Sequence, residues 1–142
     1  MMKNFLLMFA LCFMLSCKKD LDKKLSSNDW KIESATINPA ITIGSKSGTN
    51  YLELMGAASC EATTTLTFSE DGIFNTSANG ALCDMFYDPN RKSVTWTREN
   101  DQIKVSSAPG APYTLKGNKL TQITTFTSGG STYTLVRIYG AK

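Results

Sequence analysis

The sequence contains no histidine. That absence removes the commonest general base and the commonest metal ligand, and with them every Ser/His or Cys/His nucleophile pair. Carboxylates and lysines remain, but no spacing among them signals catalysis, so the chain reads as non-enzymatic, with no metal and no cofactor. An excess of one charge is also missing from most of the chain: from Leu25 onward there are 10 basic and 10 acidic residues. The overall charge of +3 therefore belongs to the front. A neutral body with no basic stripe offers no footprint for nucleic acid. Long apolar runs are scarce too. The run from Phe5 to Leu15 covers 11 residues, short of the ~20 that a membrane-spanning helix needs.

What is present at the front is a short positive start, Met1-Met2-Lys3-Asn4, followed by that apolar run and then Leu15-Ser16-Cys17. A run of this length fits the hydrophobic region of a signal peptide. The ending resembles the bacterial lipobox, in which a small residue precedes a cysteine that is acylated on sulfur and becomes the first mature residue. The resemblance implies a signal peptide over 1–16 and lipid on Cys17. Each buried methylene contributes about 0.8 kcal/mol, so two or three chains hold a protein on a membrane where one does not. Residues 17–28 carry four lysines and two aspartates with few apolar side chains, and read as a lipidated cysteine and flexible tether. The acid-rich signal that sends some lipoproteins to the cell surface is poorly matched by Lys18-Lys19-Asp20. The expected location is thus the cell envelope, anchored in the outer membrane, with the periplasmic or surface face left open.

From Trp30 the pattern changes to short runs rich in Thr, Ile, Val and aromatics. Trp30 and Ile32 alternate with charged residues, which places them on one face of a strand. Pro39, Gly44 and Gly48 suggest a loop around a weak Ile41–Ile43 strand, and Tyr51–Met55 fits helix or strand equally. Leu66 and Phe68 alternate with threonines and lead through Asp71-Gly72 into Ile73-Phe74, a hairpin signal because glycine takes the positive φ that such a turn demands. Further turn signals fall at Asn79-Gly80, Asp88-Pro89-Asn90, Asn100-Asp101, Pro109-Gly110, Gly117-Asn118 and Gly129-Gly130. This spacing predicts an all-β fold, an antiparallel barrel or calyx of about eight strands over 29–142.

These pieces, Trp30-Lys31-Ile32, Cys60, the Leu66–Phe74 hairpin, Trp96, Ile103-Lys104-Val105, Tyr113-Thr114-Leu115 and Asn118-Lys119-Leu120, together resemble the lipocalin-like domains of Bacteroidota lipoproteins. The resemblance implies a barrel or half-open calyx. It supplies no catalytic residues.

With Cys12 removed in the signal and Cys17 committed to lipid, Cys60 and Cys83 are left to pair, and in an exported chain they form a disulfide most simply. A zinc pair or redox couple would want more ligands or a Cys-x-x-Cys spacing. Asp84, Asp88 and Asn90 lack a calcium-loop pattern and suit a proline turn. Glu70 and Asp71 sit at a hairpin tip and point into water. Trp30, Phe68, Phe74, Trp96 and Tyr113 lie on different strands; facing inward they would either line a ligand pocket or form the core. Phe86-Tyr87 and Tyr51–Met55, in longer connections, suit an exposed contact or a lid. The expected function is an anchored barrel that binds a small apolar ligand. The alternative is a filled barrel that presents its loops to another envelope protein.

Overall fold

Alternation of apolar and polar residues, broken at short turns, dictates an antiparallel meander. The computed structural model describes residues 19–80, 83 and 88–142. A helix over residues 19–26 (α1) leads into strands β1 (Asp29–Ile43) and β2 (Lys46–Asn50), helix α2 (Tyr51–Met55), then β3 (Thr65–Phe68), β4 (Ile73–Ser77) and β5 (Val94–Glu99). The remaining strands are β6 (Gln102–Val105), β7 (Tyr113–Lys116), β8 (Lys119–Ser128) and β9 (Ser131–Ala141). Each strand from β3 to β9 pairs antiparallel with the next, and β1 pairs with both β3 and β9. Eight strands therefore close into a barrel. The ninth, β2, folds back on the far half of β1, outside the ring.

The predicted Asp71-Gly72 hairpin forms, with Phe68 opposite Phe74, Gly72 at φ +86°, and the Ser69 N–H donating to the Ile73 carbonyl at 2.8 Å. The Asn100-Asp101, Gly117-Asn118 and Gly129-Gly130 turns likewise join neighbouring strands. Asn79-Gly80 does not turn a hairpin. A Cβ on Gly80 would lie 2.5 Å from Cys83 Sγ and 2.9 Å from the Ala58 carbonyl, so this glycine permits close approach to the disulfide.

Two readings are corrected, and one open choice is decided. The expected loop around Ile41–Ile43 is strand: β1 runs unbroken through Pro39 and turns at Gly44-Ser45 into β2. Proline, lacking an N–H, is tolerated there because it lies beyond the last β9 pair, Asn38 opposite Thr134, and within the irregularity of the β2 ladder between Thr36 and Ile41. Tyr51–Met55 is helix, capped by the Asn50 side chain, which accepts from the Glu53 N–H at 3.3 Å. Within the stretch read as a flexible tether, residues 19–26 are helix instead. Leu25 is fully buried in the barrel base with Leu21 packed beside it, a spacing of four that gives α1 a narrow apolar stripe.

The base is filled. Trp30, Leu66, Phe68, Phe74, Ile103, Val105, Tyr113, Leu115, Leu120 and Tyr139 form one buried cluster with Leu25. A smaller cluster of Ala35, Ile37 and Leu135 lies at the opposite end, covered by Tyr51 and Leu52 of α2 together with Ile41 and Tyr133.

Candidate functional site: a polar layer inside the barrel

Strand register stacks the inward side chains of β7, β8, β9 and β1 in rows. The lowest row holds Leu115, Leu120, Tyr139 and Ile32, and a higher one holds Thr124, Leu135 and Ile37. Between them runs Tyr113, Gln122, Arg137 and Ala35, so two polar side chains occupy adjacent inward positions of an otherwise apolar wall. Gln122 is buried and donates from Nε2 to the Ala111 carbonyl at 3.0 Å. Arg137 donates from Nε to Glu61 Oε1, from Nη2 to Glu61 Oε2 at 3.5 Å, and from Nη1 to Thr124 Oγ1 at 3.2 Å.

Glu61 comes from the connection between α2 and β3, and the Cys60–Cys83 disulfide holds that connection, its Cα atoms 5.5 Å apart. The expected bridge thus exists. Closing a loop of this length stabilises the fold by about 3 kcal/mol in the chain-entropy picture. It also places the residue beside Cys60 over the barrel mouth.

Electrostatics follow from burial. Burial works against the charge of Arg137, but the hydrogen bond and charge of Glu61 hold its pKa above the usual arginine value. Burial pushes the Tyr113 hydroxyl up to about 12, against the opposing effects of Arg137 and of a hydrogen bond with Gln122. Burial, reinforced by Tyr113, raises Tyr139 further still. An unfolded tyrosine ionises near pH ~10. Between about pH 10 and 12 the folded chain therefore binds more protons than the unfolded one, and stability falls as pH rises. At about 1.4 kcal/mol per pH unit, Tyr113 alone accounts for roughly 3 kcal/mol over that interval. Urea midpoints measured across it should drop steeply in the parent and less in Tyr113→Phe; a flat profile in the parent would contradict this picture.

The five aromatics expected at a ligand site are gathered in the base. The Phe68 ring packs on Phe74 at 5.0 Å, on Trp96 at 5.7 Å and on Tyr113 at 6.2 Å between centroids. Trp30 is fully buried in the same cluster, its Nε1–H donating to the Leu25 carbonyl at 3.1 Å. This is the filling role that the sequence allowed beside the ligand role. Phe74 and Trp96 each border a surface cleft of about 320 Å³, and Tyr113 alone of the five belongs to the polar row. Arg137, Glu61 and Gln122 went unmarked in the sequence. The signal for one of them was there: Tyr133, Leu135, Arg137, Tyr139 and Ala141 alternate inward along β9, and an arginine in that phase is a buried charge in search of a partner.

Cys17 and the segment 1–16, and likewise Asp84 and Phe86-Tyr87, lie outside the described residues. Asp88 and Asn90 form a turn in which Asp88 Oδ1 accepts from the Asn90 N–H at 2.9 Å. Among the described residues no group of three or more acidic, cysteine or histidine side chains could hold a metal, and no helix is long and apolar enough to cross a membrane. Lipocalin-like proteins are typically non-catalytic carriers, and the polar row presents no nucleophile beside a base. No curated protein and no solved structure matches the chain. The model of the lipocalin-like domain family matches residues 27–136, which span the whole ring of strands up to the middle of β9, and the chain belongs to that family.

Proposed function

We propose that this protein is a membrane-anchored envelope lipoprotein whose barrel binds a small, mainly apolar ligand at the α2 end. The observation that carries the binding half is the Arg137–Glu61 pair, held inside the barrel between two apolar clusters. An ion pair in such a place adds little stability compared with apolar side chains of the same volume. A barrel built only to be filled gains nothing from it, whereas a ligand with one polar end needs such a partner. The apolar part of that ligand would lie against Ile37, Leu135, Tyr51 and Leu52, with Tyr113 and Arg137 at its polar end. The lipobox-like Leu15-Ser16-Cys17 supports the anchored half, and the disulfide suits the oxidising envelope. The second reading, a filled barrel that contacts another envelope protein, is favoured by the ring-to-ring packing around Phe68.

Delipidated protein should take up an anilinonaphthalene sulfonate dye saturably, and native mass spectrometry should show one small molecule or dye per barrel. Leu52→Asp, a half-buried change on α2, should weaken uptake about tenfold, equivalent to about 1.4 kcal/mol. Absence of both uptake and a co-purified mass would favour the filled barrel.

A further inference from the structure

We infer that the α1 end of the barrel rests on the membrane that holds the anchor, with the polar mouth facing away from it. This rests on the acylation of Cys17 proposed above. The chain is helical at its first described residue, Lys19, two peptide units beyond Cys17. At about 3.6 Å per residue, the lipid-bearing residue lies within about 7 Å of the helix start. Only two residues therefore set the distance between the lipid and α1, and α1 is fastened to the barrel. Leu25 is fully buried and its carbonyl accepts from Trp30 Nε1. Asp22 pairs with Arg98, whose side chain is 3% exposed, and the Asn28 side chain donates to the Lys24 carbonyl at 2.8 Å, closing the helix end. The link between lipid and barrel is therefore short, where a long flexible tether would have held the domain away from the headgroups.

The surface presented at that end suits headgroups. Lys19 and Lys23, one helical turn apart, border a cleft with Ser26, Trp96, Glu70 and Asp22, the last of these paired with Arg98. Lysine stems and an indole with its N–H satisfied are side chains that settle at a lipid–water boundary. Here the Trp96 N–H donates to the Ser69 carbonyl at 3.0 Å. The β8–β9 turn at Gly129-Gly130 and helix α2 lie at the other end, because β8 and β9 run from base to mouth along 10 and 11 residues. At about 3.3 Å per residue those strands carry the turn roughly 30 Å from the base.

The test uses the full acylated chain in vesicles of phosphatidylethanolamine and phosphatidylglycerol containing a headgroup spin-labelled lipid. A fluorophore is placed at Lys23→Cys or at Ser128→Cys. The label at 23 should be quenched at least fivefold more than the label at 128, and a flexible Gly-Ser insert of about 20 residues between Lys18 and Lys19, long enough to restore a free tether, should erase the difference. Equal quenching at both sites in protein that floats with the vesicles would overturn the orientation and leave the anchor standing. A difference that survives the insert would overturn the short link as its cause. If the chain fails to float, or floats equally well as Cys17→Ser, the anchor falls and the orientation with it.

Discussion

Trp30→Ala should cost the barrel about 3 to 5 kcal/mol, the range for emptying a fully buried large aromatic site, out of a total stability of roughly 5 to 15 kcal/mol for a domain of this kind. Trp30 has no exposed surface, and it does two things at once. It fills the base among Leu25, Leu66 and Phe68, and its indole N–H satisfies the Leu25 carbonyl at the end of α1. Truncation leaves both a void and an unsatisfied carbonyl. Because the chain has 2 tryptophans, the variant keeps Trp96 as its sole tryptophan, and urea unfolding followed by selective excitation of Trp96 reads the loss directly. Trp30→Phe, which keeps most of the ring volume, should lose less. A loss below about 1 kcal/mol in the alanine variant would mean that the base closes over the gap and that α1 does not depend on it.

Glu61→Leu should destabilise the chain by about 2 to 4 kcal/mol, and the double change with Arg137→Leu should return it to within about 1 kcal/mol of the parent. The asymmetry arises because removing the carboxylate strands a guanidinium among Ala35, Gln122 and Thr124, whereas removing both groups leaves apolar surface beside the Ala35, Ile37 and Leu135 cluster. The figure sits below the range for fully desolvated pairs, since the Arg137 and Glu61 side chains keep 19% and 20% of their exposure. A double-mutant cycle on urea midpoints isolates the coupling. If the two single losses simply add, Arg137 has another partner for its charge and the polar layer has been misread.

Much of the barrel was legible because its signals are local. Asp71-Gly72, Asn100-Asp101 and Gly117-Asn118 each join strands only a few residues away, and period-two alternation in Thr64–Phe68 shows the buried face without knowledge of the partner strand. The bridge between Cys60 and Cys83 followed from how few cysteines remain. Helix α1 was hidden by its lysines and aspartates, since only Leu21 and Leu25 mark its buried stripe. Pro39 concealed β1, which tolerates it because it falls past the last β9 pair and in a gap of the β2 ladder, a fact of topology and not of sequence. The polar layer was least accessible of all: Arg137 and Glu61 are 76 positions apart, and only closure of the barrel brings them together.

The register shift between Ile32 and Ser34 decides how that closure happens. Along β1 the apolar residues fall at Trp30 and Ile32, then at Ala35 and Ile37, one position out of step. The extra residue, Glu33, turns outward to Lys119 and Lys142, and the two halves of the strand are brought back into phase. Slide β1 along β9 by one pair and one half would present Glu33 or Ser34 to the interior; slide it by two and the kink would meet a straight part of its partner. The first and last strands of the ring therefore have one seam on which they fit, and the barrel carries in a single misfit residue the instruction for how its two ends must meet.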